Sequence, residues 1–74
     1  MRSLGSVLHR PGKRLLLIRC DASKLPRLYS DVMDRRLRAI GKVVEIFGNI
    51  EKPYAAVLCT AGCRTEVGEK VFGR

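Results

Sequence analysis

The sequence has few of the side chains from which most active sites are built. Its 74 residues include one histidine, no tryptophan, two tyrosines and two phenylalanines. A nucleophile–base pair would need His9 beside a serine or cysteine, with a third group to orient the imidazole, and no motif places such residues together. Phosphate-binding loops and dinucleotide fingerprints are also missing. We therefore expect no catalysis, no cofactor and no small-molecule substrate, with His9 at the surface near the end of a strand.

Long apolar runs are missing as well. None approaches the ~18 to 20 residues that span a membrane, and residues 1–9 lack the apolar core of a signal peptide. A chain of this length forms one domain, residues 1–74, which is only marginally stable alone. We expect a soluble cytoplasmic protein with no membrane partner. It is either a compact binding module or a subunit that depends on a partner.

Acidic residues are outnumbered. Fifteen Lys and Arg against seven Asp and Glu give a net charge of +8, and residues 1–38 hold ten of the basic residues with three of the acidic ones. Arginine suits bidentate pairing with phosphate, so the charge fits either a polyanionic partner or a solvated basic surface. Arg35, Arg36 and Arg38 are the candidate RNA-proximal residues. A solvated turn, with local ion pairs to Asp34, explains the same cluster.

The three cysteines do not form a familiar zinc motif. Cys20, Cys59, Cys63 and His9 could make a four-ligand set on paper, but Cys59 and Cys63 are spaced more widely than a Cys-x2-Cys knuckle. An odd count without a signal peptide argues against a disulfide framework. We expect no metal, with Cys20 and Cys59 as small apolar strand residues and Cys63 in a loop.

Short apolar stretches alternate with Gly, Pro, Asp and Asn, and no helical period is sustained. This pattern is typical of a small all-β domain. The expected strands are Ser3 to Leu8, Arg14 to Cys20, Asp31 to Asp34, Ala39 to Phe47, Pro53 to Thr60, and Lys70 to Phe72. Six short strands most economically close into a small six-stranded β-barrel, because closure removes the exposed edges.

Turn residues divide these strands. Pro11 and Gly12 predict the turn between the first two strands, and the connection that begins at Asp21 has room for one helical turn. Gly41 and Gly48 predict bends or a close approach of backbones.

The fourth and fifth predicted strands carry apolar residues on both faces. In the fourth strand Ile40, Val44 and Ile46 share a face with Lys42, while Val43 and Phe47 share the other with Glu45. A free-standing barrel should alternate apolar and polar residues. The pattern therefore indicates that another molecule covers one outer face. A smaller number of strands packed two layers deep is the alternative.

The segment from Ile40 to Tyr54 is the most informative stretch. A long strand leads into Gly48 and Asn49, and Pro53 then starts the next strand. This hairpin offers a preorganised apolar ridge that would lose little entropy on docking. The alternative is an ordinary hairpin whose apolar residues are all core. The candidate partner-binding residues are Ile46, Phe47, Gly48, Ile50, Pro53 and Tyr54.

These motifs resemble those of the GAR-domain subunit of H/ACA ribonucleoproteins, in its short archaeal form. The family pattern opens with Leu-Gly-x-Val-x-His, continues with Val-x-Asp, and then reads Ile-Gly-x-Val-x-Asp/Glu-Ile-Phe-Gly-Pro-Val-x-x-Pro-Tyr. The chain supplies Leu4 to His9, Val32 to Asp34, and Ile40 to Tyr54. It departs from the pattern at Asn49, where the family has Pro, and at Ile50, where it has Val. Asn also tolerates turn conformations.

The resemblance implies a six-stranded β-barrel similar to a domain of translation factors, without catalysis of its own. It implies binding to the pseudouridine synthase subunit of the H/ACA particle, which uses guide RNA to select uridines in ribosomal RNA. The subunit would favour substrate loading and product release through the synthase's mobile thumb loop, and would contact guide and substrate RNA mostly indirectly. Two alternatives remain open: a stand-alone basic barrel that binds RNA directly, and a translation-factor-like barrel in another complex.

Overall fold

Six antiparallel strands make up the regular structure of the chain. The computed structural model describes residues 2–21, 23, 25–60 and 65–73. The strands are β1 (Arg2–Gly12), β2 (Leu15–Cys20), β3 (Asp31–Met33), β4 (Ala39–Gly48), β5 (Pro53–Cys59) and β6 (Lys70–Gly73). All six were predicted from the sequence, and five have bounds within one residue of the prediction. β1 is the exception, because it begins one residue earlier and runs four residues further than expected.

The strands close into one barrel. Their order is β1-β2-β5-β4-β3-β6, and β6 pairs with β1 to complete the ring. The prediction of an all-β, closed six-stranded barrel is therefore confirmed. The alternative of strands stacked two layers deep is wrong, since a single sheet curls round on itself. The described residues include no helix that is long and apolar enough to cross a membrane.

The barrel interior is filled by inward-facing aliphatic side chains. Leu16 lies opposite Val57 on neighbouring strands, and Ile18 lies opposite Ala55. The fully buried residues with the largest side chains are Leu4, Leu16, Ile18, Val7, Val32, Val43, Val57 and Val71. Each Leu, Ile or Val contributes about 1.5–3 kcal/mol by its burial. Cys20 and Cys59 join this core, as the sequence predicted.

Two β-bulges explain why β4 mixes apolar residues on both faces. Ile40 has no partner where β4 runs beside β3, and Val44 has none where it runs beside β5. Each bulge shifts the alternation by one residue. Val43 thus faces the core before the second bulge and Ile46 faces it afterwards, although the two residues have opposite parity.

Two local predictions are corrected. The turn between β1 and β2 is Lys13–Arg14 rather than Pro11–Gly12, because Gly12 still pairs with Leu15 in the sheet. His9 lies within β1 instead of at its end, and it is exposed as expected. The prediction of room for a helical turn after Asp21 involves residues 22 and 24, which lie outside the described residues, and residues 25–30 are not helical. β1 continues past its proline because irregular pairing between His9 and Gly12 bends the strand there.

Gly41 marks a close approach of two strands, as predicted. A Cβ atom at this position would lie 2.3 Å from the carbonyl oxygen of Leu58 on β5. No side chain fits into that space, so glycine lets β4 and β5 pack at this point of the barrel wall.

Candidate functional site

The hairpin between β4 and β5 brings the predicted partner-binding residues together. Phe47 pairs with Tyr54 across the two strands, and Gly48 pairs with Pro53 at the hairpin's end. The rings of Phe47 and Tyr54 stack with their centroids 5.9 Å apart and their planes inclined by 28°. We call the set Ile46, Phe47, Gly48, Ile50, Pro53 and Tyr54 the hairpin ridge.

A specific turn holds the tip of the hairpin ridge. Gly48 has a φ of 97°, a conformation that glycine adopts readily and other residues rarely do. The side-chain oxygen of Asn49 accepts a hydrogen bond from the backbone N–H of Lys52 at 2.6 Å. Asn49, which stands where the resembled family has proline, therefore closes the turn with its own side chain.

The members of the hairpin ridge differ in exposure. Ile50 is 92% exposed at the tip and Phe47 is 40% exposed beside it, while Tyr54 is half-buried. Ile46 packs against the barrel core and Pro53 is buried. A docking partner would thus meet Ile50, Phe47 and one side of Tyr54, with Ile46 and Pro53 supporting them from beneath.

The apolar surface continues along the outside of β2 and β5. Leu15 lies opposite Leu58, and Leu17 lies opposite Ala56, on the face turned away from the core. Leu58 is 50% exposed and Leu15 and Leu17 are half-buried, while Ala56 is buried at 5% exposure. We call these four residues the outer strip. Tyr54 precedes Ala56 on the same face of β5 and joins the outer strip to the hairpin ridge.

Sequence reasoning did not identify the outer strip. The pattern of β5 signalled it, because Tyr54, Ala56 and Leu58 share one parity. The contribution of β2 could not be found in this way, because its four consecutive apolar residues, Leu15 to Ile18, do not reveal which two face outward. The sequence pattern indicated that the barrel has an apolar outer face covered by another molecule. The outer strip is an apolar outer face of this kind.

Charged residues border this apolar surface. Arg19 lies opposite Tyr54, and Lys42 lies opposite Leu58. The amine of Lys42 is 3.8 Å from a carboxylate oxygen of Asp31 in an exposed ion pair, which contributes little to stability. Glu45 lies opposite Ala56. The border thus offers charges of both signs to orient a partner.

Arg35, Arg36 and Arg38 lie in the turn between β3 and β4, where all three are exposed. The carboxylate of Asp34 accepts hydrogen bonds from the backbone N–H groups of Arg36 and Arg38, at 2.9 and 3.0 Å. The predicted turn is confirmed. It is stabilised by hydrogen bonds from the backbone to Asp34 rather than by the predicted ion pairs with the arginines. All three arginines are thus exposed on a turn that is closed by hydrogen bonds to Asp34.

The candidate zinc ligands are dispersed. Cys20 and Cys59 are buried in the core, and burial raises the pKa of the Cys20 thiol above its ordinary value. His9 is exposed on the outside of β1, and Cys63 lies outside the described residues. Within the described ranges, no three His, Cys, Asp or Glu side chains are grouped so that they could hold a metal ion.

The geometry therefore offers an apolar surface that runs from the hairpin ridge along the outside of β2 and β5, and a cationic turn between β3 and β4. Neither contains an arrangement of a nucleophile and a base among the residues that the structure describes. No family model matches the chain, and no curated protein matches it.

Proposed function

We propose that this chain is a non-catalytic accessory subunit of an H/ACA ribonucleoprotein. It binds the pseudouridine synthase subunit through the hairpin ridge and assists the loading of substrate RNA and the release of product during rRNA processing. The observation that supports this proposal is the exposed apolar tip formed by Ile50 and Phe47. That tip lies in the segment from Ile40 to Tyr54, where the resemblance to the GAR-domain family is longest.

The hairpin ridge has the physical properties of a binding surface. Burying the side chain of Ile50 in a partner contributes about 1.5–3 kcal/mol. The stacked rings of Phe47 and Tyr54, together with the Asn49 hydrogen bond, hold the hairpin in one conformation before binding. Little conformational entropy is then lost on docking. The outer strip enlarges the apolar area that the same partner can cover.

The remaining parts of the proposal follow from this role. The synthase supplies the chemistry, so the chain needs no cofactor, no small-molecule substrate and no membrane. Guide and substrate RNA contribute to the particle mostly through the synthase. The particle works on ribosomal RNA, and we place the chain in the cytoplasm with the rest of its assembly.

Titration calorimetry of the chain against a matching H/ACA pseudouridine synthase tests this function. We expect tight binding by the native chain and at least a tenfold loss of affinity for Ile50→Asp, because a carboxylate at the tip cannot be desolvated cheaply. Val67→Asp is the matched control, since Val67 is 60% exposed on a different connection. It should bind as the native chain does.

The competing function is a stand-alone barrel that binds RNA and no synthase. Its supporting observation is the exposed cluster of Arg35, Arg36 and Arg38. RNA binding by the chain with no affinity for the synthase would overturn the proposed function. Synthase binding that Ile50→Asp leaves unchanged would remove the hairpin ridge from it.

A further inference from the structure

Two basic turns lie at the same end of the barrel. Lys13 and Arg14 form the β1–β2 turn, and residues 35–38 belong to the β3–β4 turn. The carbonyl oxygen of Arg14 accepts a hydrogen bond from the N–H of Cys59 at 2.6 Å, and the carbonyl oxygen of Ile40 accepts one from the N–H of Thr60 at 2.8 Å. The two turns therefore flank the end of β5. We call this set the basic end; its cations are Lys13, Arg14, Arg35, Arg36 and Arg38.

Among the residues that the structure describes, no carboxylate pairs with the cations of the basic end. All five cationic side chains are exposed. The ion pair found in the described ranges joins Lys42 to Asp31. Asp34 is the acidic residue of these turns, and one of its carboxylate oxygens already accepts two backbone hydrogen bonds.

Leu37 is the apolar residue of the basic end, and its backbone is strained. It has a φ of 65°, a conformation that is costly for a bulky side chain, and it is 58% exposed between Arg36 and Arg38. Two backbone hydrogen bonds hold Leu37 in this conformation. The N–H of Leu37 donates to the carbonyl oxygen of Asp34, and the N–H of Asp34 donates to the carbonyl oxygen of Arg38, each at 3.0 Å. The turn thus presents a leucine to solvent between two arginines.

We infer that the basic end binds the phosphodiester backbone of a nucleic acid, with Leu37 inserted against the sugars and base edges between the contacted phosphates. Arginine forks match phosphate oxygens in pairs. An apolar wedge flanked by cations is a recurrent way of entering a groove or a base step. Arg14 directly precedes β2 and Ile40 lies on β4, and these two strands flank β5. The two turns are therefore roughly 10 Å apart across the sheet. One segment of backbone can touch both.

A lipid surface fits the same turns less well. Leu37 is the one large apolar side chain in the two turns, and a single leucine gives little insertion into a membrane. The four arginines and one lysine instead suit discrete phosphate contacts in a groove.

This inference does not rest on the proposed function. β4 begins beside the basic end and finishes in the hairpin ridge, and ten residues of strand span roughly 30 Å. A protein docked on the hairpin ridge alone therefore leaves the basic end accessible, whereas one that also covered the outer strip as far as Leu15 and Leu58 would reach the residue beside Arg14. The inferred contact is direct, unlike the indirect RNA contact implied by the family resemblance.

Fluorescence anisotropy with labelled oligonucleotides tests the inference on the full chain. The probes are an RNA hairpin, a single-stranded RNA and a DNA duplex of the same stem sequence, each titrated at several salt concentrations. We expect the affinity for duplex probes to fall on a log–log salt plot with a slope of magnitude about 3 or more. Lys13→Gln/Arg14→Gln should reduce this magnitude by about 1.8, since two phosphate contacts are lost.

The matched control is Arg27→Gln/Lys52→Gln, which removes two exposed cations outside the basic end. This variant has the same net charge and should keep the native slope within about 0.5. Equal losses in the two double variants would show that net charge alone attracts the probe, which overturns the inference. A preference for RNA over DNA, or for DNA over RNA, supports the inference in either case and identifies which nucleic acid supplies the phosphates.

Leu37→Gly tests the wedge separately. Glycine accepts the positive φ at this position, so the variant should melt no lower than the native chain while its affinity for the probes falls about fivefold. Undiminished affinity would overturn the role of Leu37. Absence of salt-dependent binding to all three probes would overturn the whole inference, as would tighter binding to anionic vesicles than to any nucleic acid.

Discussion

The aromatic rings of Phe47 and Tyr54 lie directly opposite each other on β4 and β5 and stack at a centroid distance of 5.9 Å. The pair is the second-to-last of the β4–β5 ladder, followed by the Gly48–Pro53 pair at the hairpin's end. A stacked pair of this kind adds about 0.5–1.5 kcal/mol beyond its buried area. The residues proposed to meet a partner are thus also residues that keep the hairpin folded.

Replacing Phe47 should affect stability and docking together. Phe47→Ala removes the ring pair from a position that is 40% exposed, so we expect a loss of about 1–2 kcal/mol, less than for a fully buried phenylalanine. Urea denaturation measures the loss, and calorimetry on the folded fraction measures docking to the synthase. Phe47→Leu keeps an apolar side chain and should lose less of both. A folded Phe47→Ala variant with native stability and native affinity would count against Phe47 in either role.

The close approach at Gly41 predicts a large cost for one added methyl group. A Cβ at Gly41 would overlap the backbone of β5, so Gly41→Ala should destabilise the barrel by about 3 kcal/mol. Gly12→Ala is the control, because no atom lies within 4 Å of a Cβ built there, and its effect should stay within about 0.5 kcal/mol. Thermal or chemical melts that rank the two variants equally would contradict this account of the barrel wall.

Asp34 should stabilise the β3–β4 turn through its carboxylate oxygen. Asp34→Ala leaves the N–H groups of Arg36 and Arg38 without that acceptor, and we expect a loss of about 1 kcal/mol. Asp34→Asn retains a side-chain oxygen and should recover most of it. If the Asn variant is as unstable as the Ala variant, the negative charge among the arginines matters more than the two hydrogen bonds.

The buried thiol of Cys20 should make stability fall at high pH. Its pKa is raised in the folded chain, so the unfolded chain loses this proton first as the pH increases. The contribution of Cys20 is complete below the ordinary thiol pKa of about 9, and it is lost as the pH rises towards the folded value. Denaturation under reducing conditions from pH 7 to 10.5 should show a shallower decline for Cys20→Ala than for the native chain. If the stabilities of the native chain and Cys20→Ala fall in parallel as the pH rises, ionisation of Cys20 does not cause the decline.

The barrel could be predicted because its signals are local. Six apolar segments of strand length, separated by Gly, Pro and Asp, leave few other economical folds, and Gly41 and Gly48 lie where close approach and a turn require them. The hairpin ridge was predictable for the same reason, since Phe47 and Tyr54 are joined by one short turn.

The features that were missed depend on pairing or on backbone geometry. The bulges at Ile40 and Val44 insert a residue against a partner strand, which no composition signal records. The first turn falls at Lys13 because pairing of Gly12 with Leu15 outweighs the preference of a Pro-Gly pair for turns. The placement of Arg14 and Arg38 at the same end of the barrel follows from the strand order, which puts β2 and β4 on either side of β5.

The course of β4 has a mechanical consequence. The hairpin ridge and the basic end are the two extremities of one hydrogen-bonded strand, rather than modules joined by a flexible linker. A partner bound at one extremity therefore fixes the position and orientation of the other extremity. In an assembly the barrel would act as a rigid spacer, so that lengthening or shortening β4 by two residues would move the second contact by about 7 Å without altering either surface.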